Sequence, residues 1–283
     1  MTEAGISHES NAGQEFRRDG FAVLDLVDPF AVKDASSRIL AKLNELTRRP
    51  VPDLASYHSL SLDEPTHEQI LVSLTAWFRE NRISQSVIER NLASFTPIVG
   101  SDVKIERNPF IRLNRPGRSG DNLGLHRDTF YGASAYELSV VVPFSDVPNE
   151  AAISVLPGSH KLPDSVFPTV SVPARGKHVV KGSKIHKVGF PYAPKVVPDE
   201  YLSGLRAVPL KVGQVLVFTL ACIHGSKNNT SPVTRVSSDC RIANALAPVD
   251  RTILIEGRET PYYEDPIRLS PLTECGRLFS TLA

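Results

Sequence analysis

Residues 213–246, GQVLVFTLACIHGSKNNTSPVTRVSSDCRIANAL, contain the pattern that decides the fold. The stretch opens with a nearly continuous apolar run, which predicts a buried strand that ends at His224. A turn rich in asparagine follows, and from Arg235 onward polar and apolar residues alternate, as in a strand with two different faces. Two strands joined by a turn, with no helix between them, favour an antiparallel sheet.

Further segments of this kind are found from about residue 101 onward. VKIERNPFIRLNR, YELSVVVPF and AISVL are rich in β-branched residues and are separated by clusters of Pro, Gly, Asn and Asp. Short strands with turn signals and few helices between them predict an antiparallel sandwich or barrel. The 22 prolines of the chain suit such a loop-rich architecture.

The first hundred residues have a different, mainly helical pattern. Apolar residues recur at helical spacing over 30–48 and again over about 67–96, and a short apolar run at 21–27 predicts a strand. Because the chain has no internal repeat or low-complexity block, we expect a single domain over residues 1–283. Its expected parts are a mainly helical part (1–100), a β core (101–255) and a C-terminal closing segment (256–283).

Composition excludes several classes of protein. The formal net charge is +1, so no global positive field attracts nucleic acid or an anionic membrane. The three cysteines are far apart and form no CxxC pattern, which argues against a disulfide framework or a structural zinc site. The polar N-terminus has no signal-peptide core and no apolar run approaches the length of a spanning helix. We therefore expect a soluble, cytoplasmic protein.

A candidate metal site comes from two separate segments. In GLHRDTFYG, His126 and Asp128 are two residues apart, so in an extended chain both side chains point to one face. Such a pair alone is common and is usually a hydrogen-bonded loop pair. His224, at the end of the apolar strand, supplies a third ligand. Two imidazoles and one carboxylate form the facial arrangement that binds non-haem Fe(II) and leaves coordination positions open.

Several motifs in order give this chain a family resemblance. FRRDGFAVL, NPFIRLNRPG, HRD, VLPGSHK and HGSKNNTSPVTR resemble, in turn, the opening, the strand before the metal motif, the metal dyad, the mid-barrel signature and the distal segment of phytanoyl-CoA dioxygenases. The resemblance covers most of the chain. It implies a double-stranded β-helix of the jelly-roll or cupin-like type, with Fe(II) as cofactor and 2-oxoglutarate as co-substrate of a dioxygenase.

The resemblance also implies residue roles. The implied iron ligands are His126, Asp128 and His224. In the distal segment, Ser226 and Arg235 would hold the distal carboxylate of 2-oxoglutarate, since a guanidinium offers a planar fork to a carboxylate. Arg241, on the same strand face, is the rival for this role.

Four further candidates lie near the metal dyad. The family often has a lysine on the strand before the metal motif, where this chain has Arg112-Leu113-Asn114-Arg115. Asn114 is therefore a candidate co-substrate contact and Arg115 a candidate substrate contact, although a solvated arginine explains the latter equally well. Thr129 could reach 2-oxoglutarate, and Tyr131 could reach the substrate or simply pack.

The substrate class is suggested by a basic stretch. Residues 175–195 contain Lys184 among six cations and no acidic residue, between the PGSH turn and the distal histidine. A solvated face is the ordinary explanation; the functional one is a lid over the active site that attracts an anion. We expect O₂ and a small polar metabolite, sugar-derived or anionic, as substrates in a natural-product or carbohydrate biosynthetic pathway. The alternative is a cupin-like metal-binding isomerase or ligand-binding barrel.

Overall fold

Helices form the first part of the chain in the structure, a computed structural model that describes residues 11–131, 133–170, 195–197, 202–249 and 262–266. None of the described helices is long and apolar enough to cross a lipid bilayer. The α-helices of the described residues are α1 (Asn11–Asp19), α2 (Phe30–Thr47), α3 (Glu64–Glu80), α4 (Ile83–Glu89) and α5 (Leu92–Val99).

The sequence predicts one helical stretch over about 67–96, and the structure divides it into three helices. Asp63 begins α3 by accepting a 2.8 Å hydrogen bond from the Thr66 amide. The helix ends at Glu80, and Arg82, just before α4, has a φ of 50°, in the left-handed region, which cannot continue a right-handed helix. The apolar spacing runs through this break because all three segments pack against the same core.

Short strands form the rest of the described structure. The strands are β1 (Phe21–Asp25), β2 (Val103–Glu106), β3 (Phe110–Asn114), β4 (Glu137–Pro143), β5 (Ile153–Val155), β6 (Thr169–Val170), β7 (Lys195–Val196), β8 (Arg206–Val208), β9 (Gln214–Thr219), β10 (His224–Ser226), β11 (Arg235–Asn244) and β12 (Tyr263–Glu264).

Two antiparallel sheets built from these strands face each other. The main sheet has the order β1-β9-β4-β11-β2-β12, and β3 also pairs with β11, in line with β2. The smaller sheet has the order β10-β5-β8. Apolar side chains of both sheets, such as Leu216 and Val155, form a shared core. This mainly antiparallel, jelly-roll architecture with flanking helices confirms the predicted fold class.

The main sheet has two chemically different faces. Its outer face packs against the helices through residues such as Val140, Val236 and Ile242, all fully buried. On the inner face, the alternate positions of β11 and β3 carry charged side chains. These inner-face residues and the end of the smaller sheet enclose the site.

Candidate active site

Three potential metal ligands converge between the two sheets. His126 Nε2 is 3.3 Å and His224 Nε2 is 3.7 Å from the same oxygen, Oδ1 of Asp128. One ligand atom from each residue lies within 4.8 Å of the others, and all three residues are buried. The donor set and its spacing fit a single Fe(II) ion bound on one face.

Backbone hydrogen bonds fix the orientation of both imidazoles. His126 Nδ1 lies 2.7 Å from the Gly124 carbonyl oxygen, and His224 Nδ1 lies 3.0 Å from the Cys222 carbonyl oxygen. Because a carbonyl oxygen can only accept, each Nδ1 carries the proton and each Nε2 offers a lone pair to the cluster. Burial lowers the pKa of His224 to about 4, so its ring is neutral at neutral pH.

The two histidines are held together by direct strand pairing. His126 and His224 exchange both backbone hydrogen bonds at 2.9 Å across a β-bridge. The chain next to this bridge runs so close that a Cβ on Gly225 would lie 2.9 Å from the Gly124 carbonyl oxygen. Only glycine therefore fits at position 225. Asp128 begins a turn of 3₁₀ helix rather than extending the strand, yet its carboxylate still reaches the histidines.

Arg241 binds the carboxylate of Asp128. Its Nη2 donates to Oδ2 of Asp128 over 2.7 Å, on the oxygen opposite the one near the histidines. Burial alone would raise the pKa of Asp128, but the charge of Arg241 holds that pKa well below its usual range. Asp128 is therefore ionised, as a metal ligand must be.

Arg235 lies on the same strand but has a different environment. Its Nη2 donates to Ser226 Oγ over 3.0 Å and its Nη1 to the Ala151 carbonyl oxygen over 2.8 Å. Nε of this buried guanidinium has no hydrogen-bond partner among the described residues. Burial lowers the pKa of Arg235 to about 10, since no salt bridge offsets the loss of water in the described part of the chain.

A cavity that is partly open to solvent contains the metal cluster and Arg235. On its wall, Arg112 of β3 donates through Nε to Oδ2 of Asp239 of β11 over 2.5 Å. Phe110, the register partner of Asp239, lies beside this ion pair. The remaining wall residues are Glu106, Asp121, Leu123, Ser139, Ile153, Phe218, Gly225, Ser226 and Arg241.

The structure places the other predicted residues away from the cavity lining or outside its description. Asn114 is buried and donates to Asn122 Oδ1 over 2.7 Å, and Thr129 is half-buried in the 3₁₀ turn; neither is among the residues that line the cavity. The side chain of Tyr131 and all of Lys184, with the rest of 171–194, lie outside the described residues.

Arg115 does not have the predicted position of a substrate contact. Its guanidinium donates to both oxygens of Asp121 and to Glu64, at 2.9 to 3.0 Å, and it is not part of the cavity lining. Burial alone would lower the pKa of Arg115, but the hydrogen bonds and charges of these two carboxylates raise that pKa above its ordinary value. The charge of Arg115 is therefore satisfied within the protein. Arg115 is a positioning partner for Asp121, which does line the cavity.

Sequence reasoning missed Arg112, Asp239 and Tyr262. Period-2 alternation could have found the first two, because Arg112 shares a strand face with Asn114, and Asp239 shares one with Arg235 and Arg241. No comparable signal exists for Tyr262. It reaches Arg241 through the pairing of a strand of only two residues, β12, with β2.

Solved structures with a similar fold include a non-haem monooxygenase and an Fe³⁺-bound epimerase. The apo form of the non-haem monooxygenase ThoJ has a TM-score of 0.52 and 19% identity, covering 96% of this chain and 95% of that one. The epimerase SnoN, solved with Fe³⁺, α-ketoglutarate and nogalamycin RO, has a TM-score of 0.50 and 19% identity, covering 91% and 92%. At these identities the likeness establishes the fold. A comparison with curated proteins finds no significant match.

The buried ligand cluster and the family match together define the class of Fe(II)- and 2-oxoglutarate-dependent oxygenases, with iron as cofactor and 2-oxoglutarate as co-substrate. The model of the phytanoyl-CoA dioxygenase family matches residues 16–237, most of the chain. The chain belongs to that family. It is therefore an enzyme rather than a ligand-binding barrel without oxygenase activity.

Proposed function

We propose that this enzyme binds Fe(II) through His126, Asp128 and His224 and holds 2-oxoglutarate through Arg235 and Ser226, to oxidise a small polar metabolite with O₂. When bound, the iron and 2-oxoglutarate supply the oxidising power, since decarboxylation of 2-oxoglutarate is coupled to the reduction of O₂. The protein contributes neutral imidazoles, an ionised carboxylate and a clamp for the co-substrate.

The observation that carries the proposal is the buried guanidinium of Arg235. A buried cation without a carboxylate partner loses hydration that nothing in the described part of the chain restores. Ser226 Oγ, 3.0 Å from Nη2, marks the place where a ligand can share donors with the guanidinium. A carboxylate of 2-oxoglutarate at this place would supply the missing partner and be recognised by a charged, directional contact.

Arg112 and Arg241 are less suitable as this clamp. Arg112 is paired with Asp239, and Arg241 with Asp128, so each guanidinium already faces a carboxylate. A dicarboxylate that bound either arginine would displace an existing ion pair. Arg235 needs no such displacement, which is why we assign the distal carboxylate to it.

The cavity wall supports a polar substrate. A long alkyl chain placed against Arg112, Asp239 and Glu106 would remove water from their charges. This desolvation costs roughly several kcal/mol per ion. A hydroxyl group both donates and accepts, so it can join an Arg–Asp pair without breaking its charge balance. Phe110 offers an apolar surface beside that pair. A sugar-derived substrate suits this wall.

Whether the substrate is also anionic depends on residues 175–195, which include Lys184. Those residues lie almost entirely outside the described structure, so the basic lid is part of the proposal and its support is the sequence alone. The proposed setting, biosynthesis of a natural product or carbohydrate, is supported by the small-molecule complex of the similarly folded SnoN.

We also propose that residues 1–283 act as one oxygenase domain. Strand β1, from the mainly helical first part, pairs with β9 in the main sheet, and β12, from the C-terminal closing segment, pairs with β2. Both ends of the described chain thus add strands to the β core.

Anaerobic titration tests the proposed ligand roles. Adding Fe(II) and then 2-oxoglutarate should produce a weak visible charge-transfer band that neither addition produces alone. Asp128→Ala should lose the band and the binding of Fe(II), whereas Arg235→Leu should bind Fe(II) and require far more 2-oxoglutarate. A normal band in Asp128→Ala would refute the metal assignment.

A further inference from the structure

The carboxylate of Asp128 has its two oxygens in different environments. Oδ1 faces His126 and His224, at 3.3 and 3.7 Å from their Nε2 atoms, while Oδ2 accepts the 2.7 Å hydrogen bond from Arg241. A carboxylate can bind a metal ion with one oxygen or with both. Which of these occurs decides how many coordination positions stay open for 2-oxoglutarate and O₂.

Arg241 is itself held on two sides. Its Nη1 donates to Tyr262 Oη over 3.0 Å, and its backbone amide donates to Oε2 of Glu106 over 3.0 Å. The hydroxyl of Tyr262 in turn donates to the other oxygen of Glu106. Glu106 and Tyr262 are 2% and 5% exposed, so the part of the network behind Arg241 is screened from water.

This network connects three distant parts of the chain. Glu106 is at the end of β2, Arg241 is on β11, and Tyr262 directly precedes β12, which pairs with β2. The guanidinium therefore cannot turn away from Asp128 without breaking its contact with Tyr262. Packing and hydrogen bonds of this kind orient metal ligands in many sites.

We propose that Arg241, held by Tyr262 and Glu106, confines Asp128 to a single metal-binding oxygen and so keeps three coordination positions open. Arg241 and Tyr262 are positioning residues: they act through Asp128. The inference rests on the proposed metal site, and it makes the C-terminal segment that carries Tyr262 a part of the metal centre.

Mn(II) bound without 2-oxoglutarate gives a readout that does not depend on activity. The relaxation of water protons by bound Mn(II) scales with the number of water molecules on the ion. Six-coordinate Mn(II) with three protein ligands keeps three waters, and a second oxygen from Asp128 would leave two. Relaxivity per bound Mn(II) should therefore fall by about one third in Arg241→Met. Tyr262→Phe should shift it in the same direction by less.

The chain offers a matched control in the adjacent tyrosine. Tyr263 is also buried, also donates to a buried carboxylate, that of Glu137, and packs against Tyr262 with ring centroids 5.0 Å apart. No described hydrogen bond joins Tyr263 to Arg241 or Asp128. Tyr263→Phe should keep the wild-type relaxivity, and Arg235→Met should do the same on β11.

The outcomes separate this inference from the proposed function. If wild-type protein binds Mn(II) no better than Asp128→Ala, the proposed metal site fails. If wild type binds Mn(II) at the site and relaxivity is unchanged or higher in both Arg241→Met and Tyr262→Phe, the site stands and the inference is overturned. An equal fall in Tyr263→Phe also overturns it. Should Arg241→Met fail to fold, Arg241→Lys and Tyr262→Phe decide.

Discussion

The two faces of strand β11 have opposite chemistry. Val236, Cys240 and Ile242 point outward and are fully buried against the helices, whereas Arg235, Asp239 and Arg241 point into the cavity. The outer-face side chains are covered by other apolar residues of the chain. Of the inner-face charges, that of Arg235 still lacks a carboxylate among the described residues. Because successive side chains of a strand point to opposite faces, one strand provides packing on its outer face and ligand binding on its inner face.

The largest expected effect is on stability, from the outer face. Ile242→Ala removes a fully buried side chain and should lower the free energy of unfolding by about 2–5 kcal/mol. Because Ile242 faces away from the cavity, KM for 2-oxoglutarate should stay unchanged below the unfolding temperature. Urea unfolding and steady-state kinetics measure the two quantities. A large change in KM without loss of stability would contradict the division between the faces.

Arg235→Leu, on the inner face, should weaken 2-oxoglutarate binding and leave stability nearly unchanged. Loss of a charge-assisted, bidentate partner worth about 2–4 kcal/mol should weaken 2-oxoglutarate binding by about 30- to 900-fold. Fe(II) binding should remain nearly intact, and stability should not fall much because the removed cation was buried without a carboxylate. Isothermal titration of the Fe(II)-loaded protein measures this affinity. If Arg241→Leu shows this phenotype and Arg235→Leu does not, the clamp is Arg241.

A pH effect should come from His67, which lies behind the cavity wall. Burial, with the charge of Arg115, lowers the pKa of His67 to about 4, and its Nδ1 is 3.0 Å from Tyr57 Oη. The unfolded chain protonates this histidine near pH 6.5, so stability is complete above that pH and is lost as pH falls toward 4. The loss amounts to about 3 kcal/mol at most.

His67→Gln isolates this contribution. Denaturant midpoints of wild type should fall more steeply between pH 6.5 and 4 than those of the variant, because glutamine has no proton to gain. Parallel curves over that range would show that His67 is not held neutral in the folded protein. His67 Nε2 lies 3.9 Å from Oδ1 of Asp121, a cavity-wall residue, so this pH effect belongs to the cavity side rather than to the outer face.

The smallest expected effect concerns the basic stretch. Changing Lys181, Lys184 and Lys187 together to Gln should raise KM for the substrate several-fold and flatten its dependence on salt, if the stretch attracts an anion over a Debye length of about 8–10 Å. Decarboxylation of 2-oxoglutarate without substrate should persist. An unchanged KM at low ionic strength would leave the stretch as an ordinary solvated face.

The sequence was sufficient to predict the residues that the site brings together. Each of these residues has a side chain with a definite chemistry: His126, Asp128, His224, Ser226 and Arg235. The last three lie at strand ends, whereas His126 forms an isolated β-bridge and Asp128 begins the 3₁₀ turn after it. Alternation along the strand and the order of motifs place such residues without knowledge of tertiary contacts. The strands and turns predicted an antiparallel sandwich or barrel, and the family resemblance implied the jelly-roll class.

Other features depended on contacts that no local pattern contains. Arg115 was a candidate substrate contact, but its pairing with Asp121 and Glu64 requires α3 to pack against β3. Arg115 is also three residues after Arg112, so it cannot share the strand face of that residue. The role of Tyr262 depends on long-range pairing of β12, and the break at Arg82 depends on a single positive φ.

The most direct test is a crystal structure grown anaerobically with Fe(II) and 2-oxoglutarate, with the metal located by anomalous scattering. We predict one iron bound by His126 Nε2, Asp128 Oδ1 and His224 Nε2, and a 2-oxoglutarate whose distal carboxylate contacts Arg235 and Ser226. Iron bound elsewhere, or a distal carboxylate on Arg112 or Arg241 with Arg235 still unpaired, would contradict it.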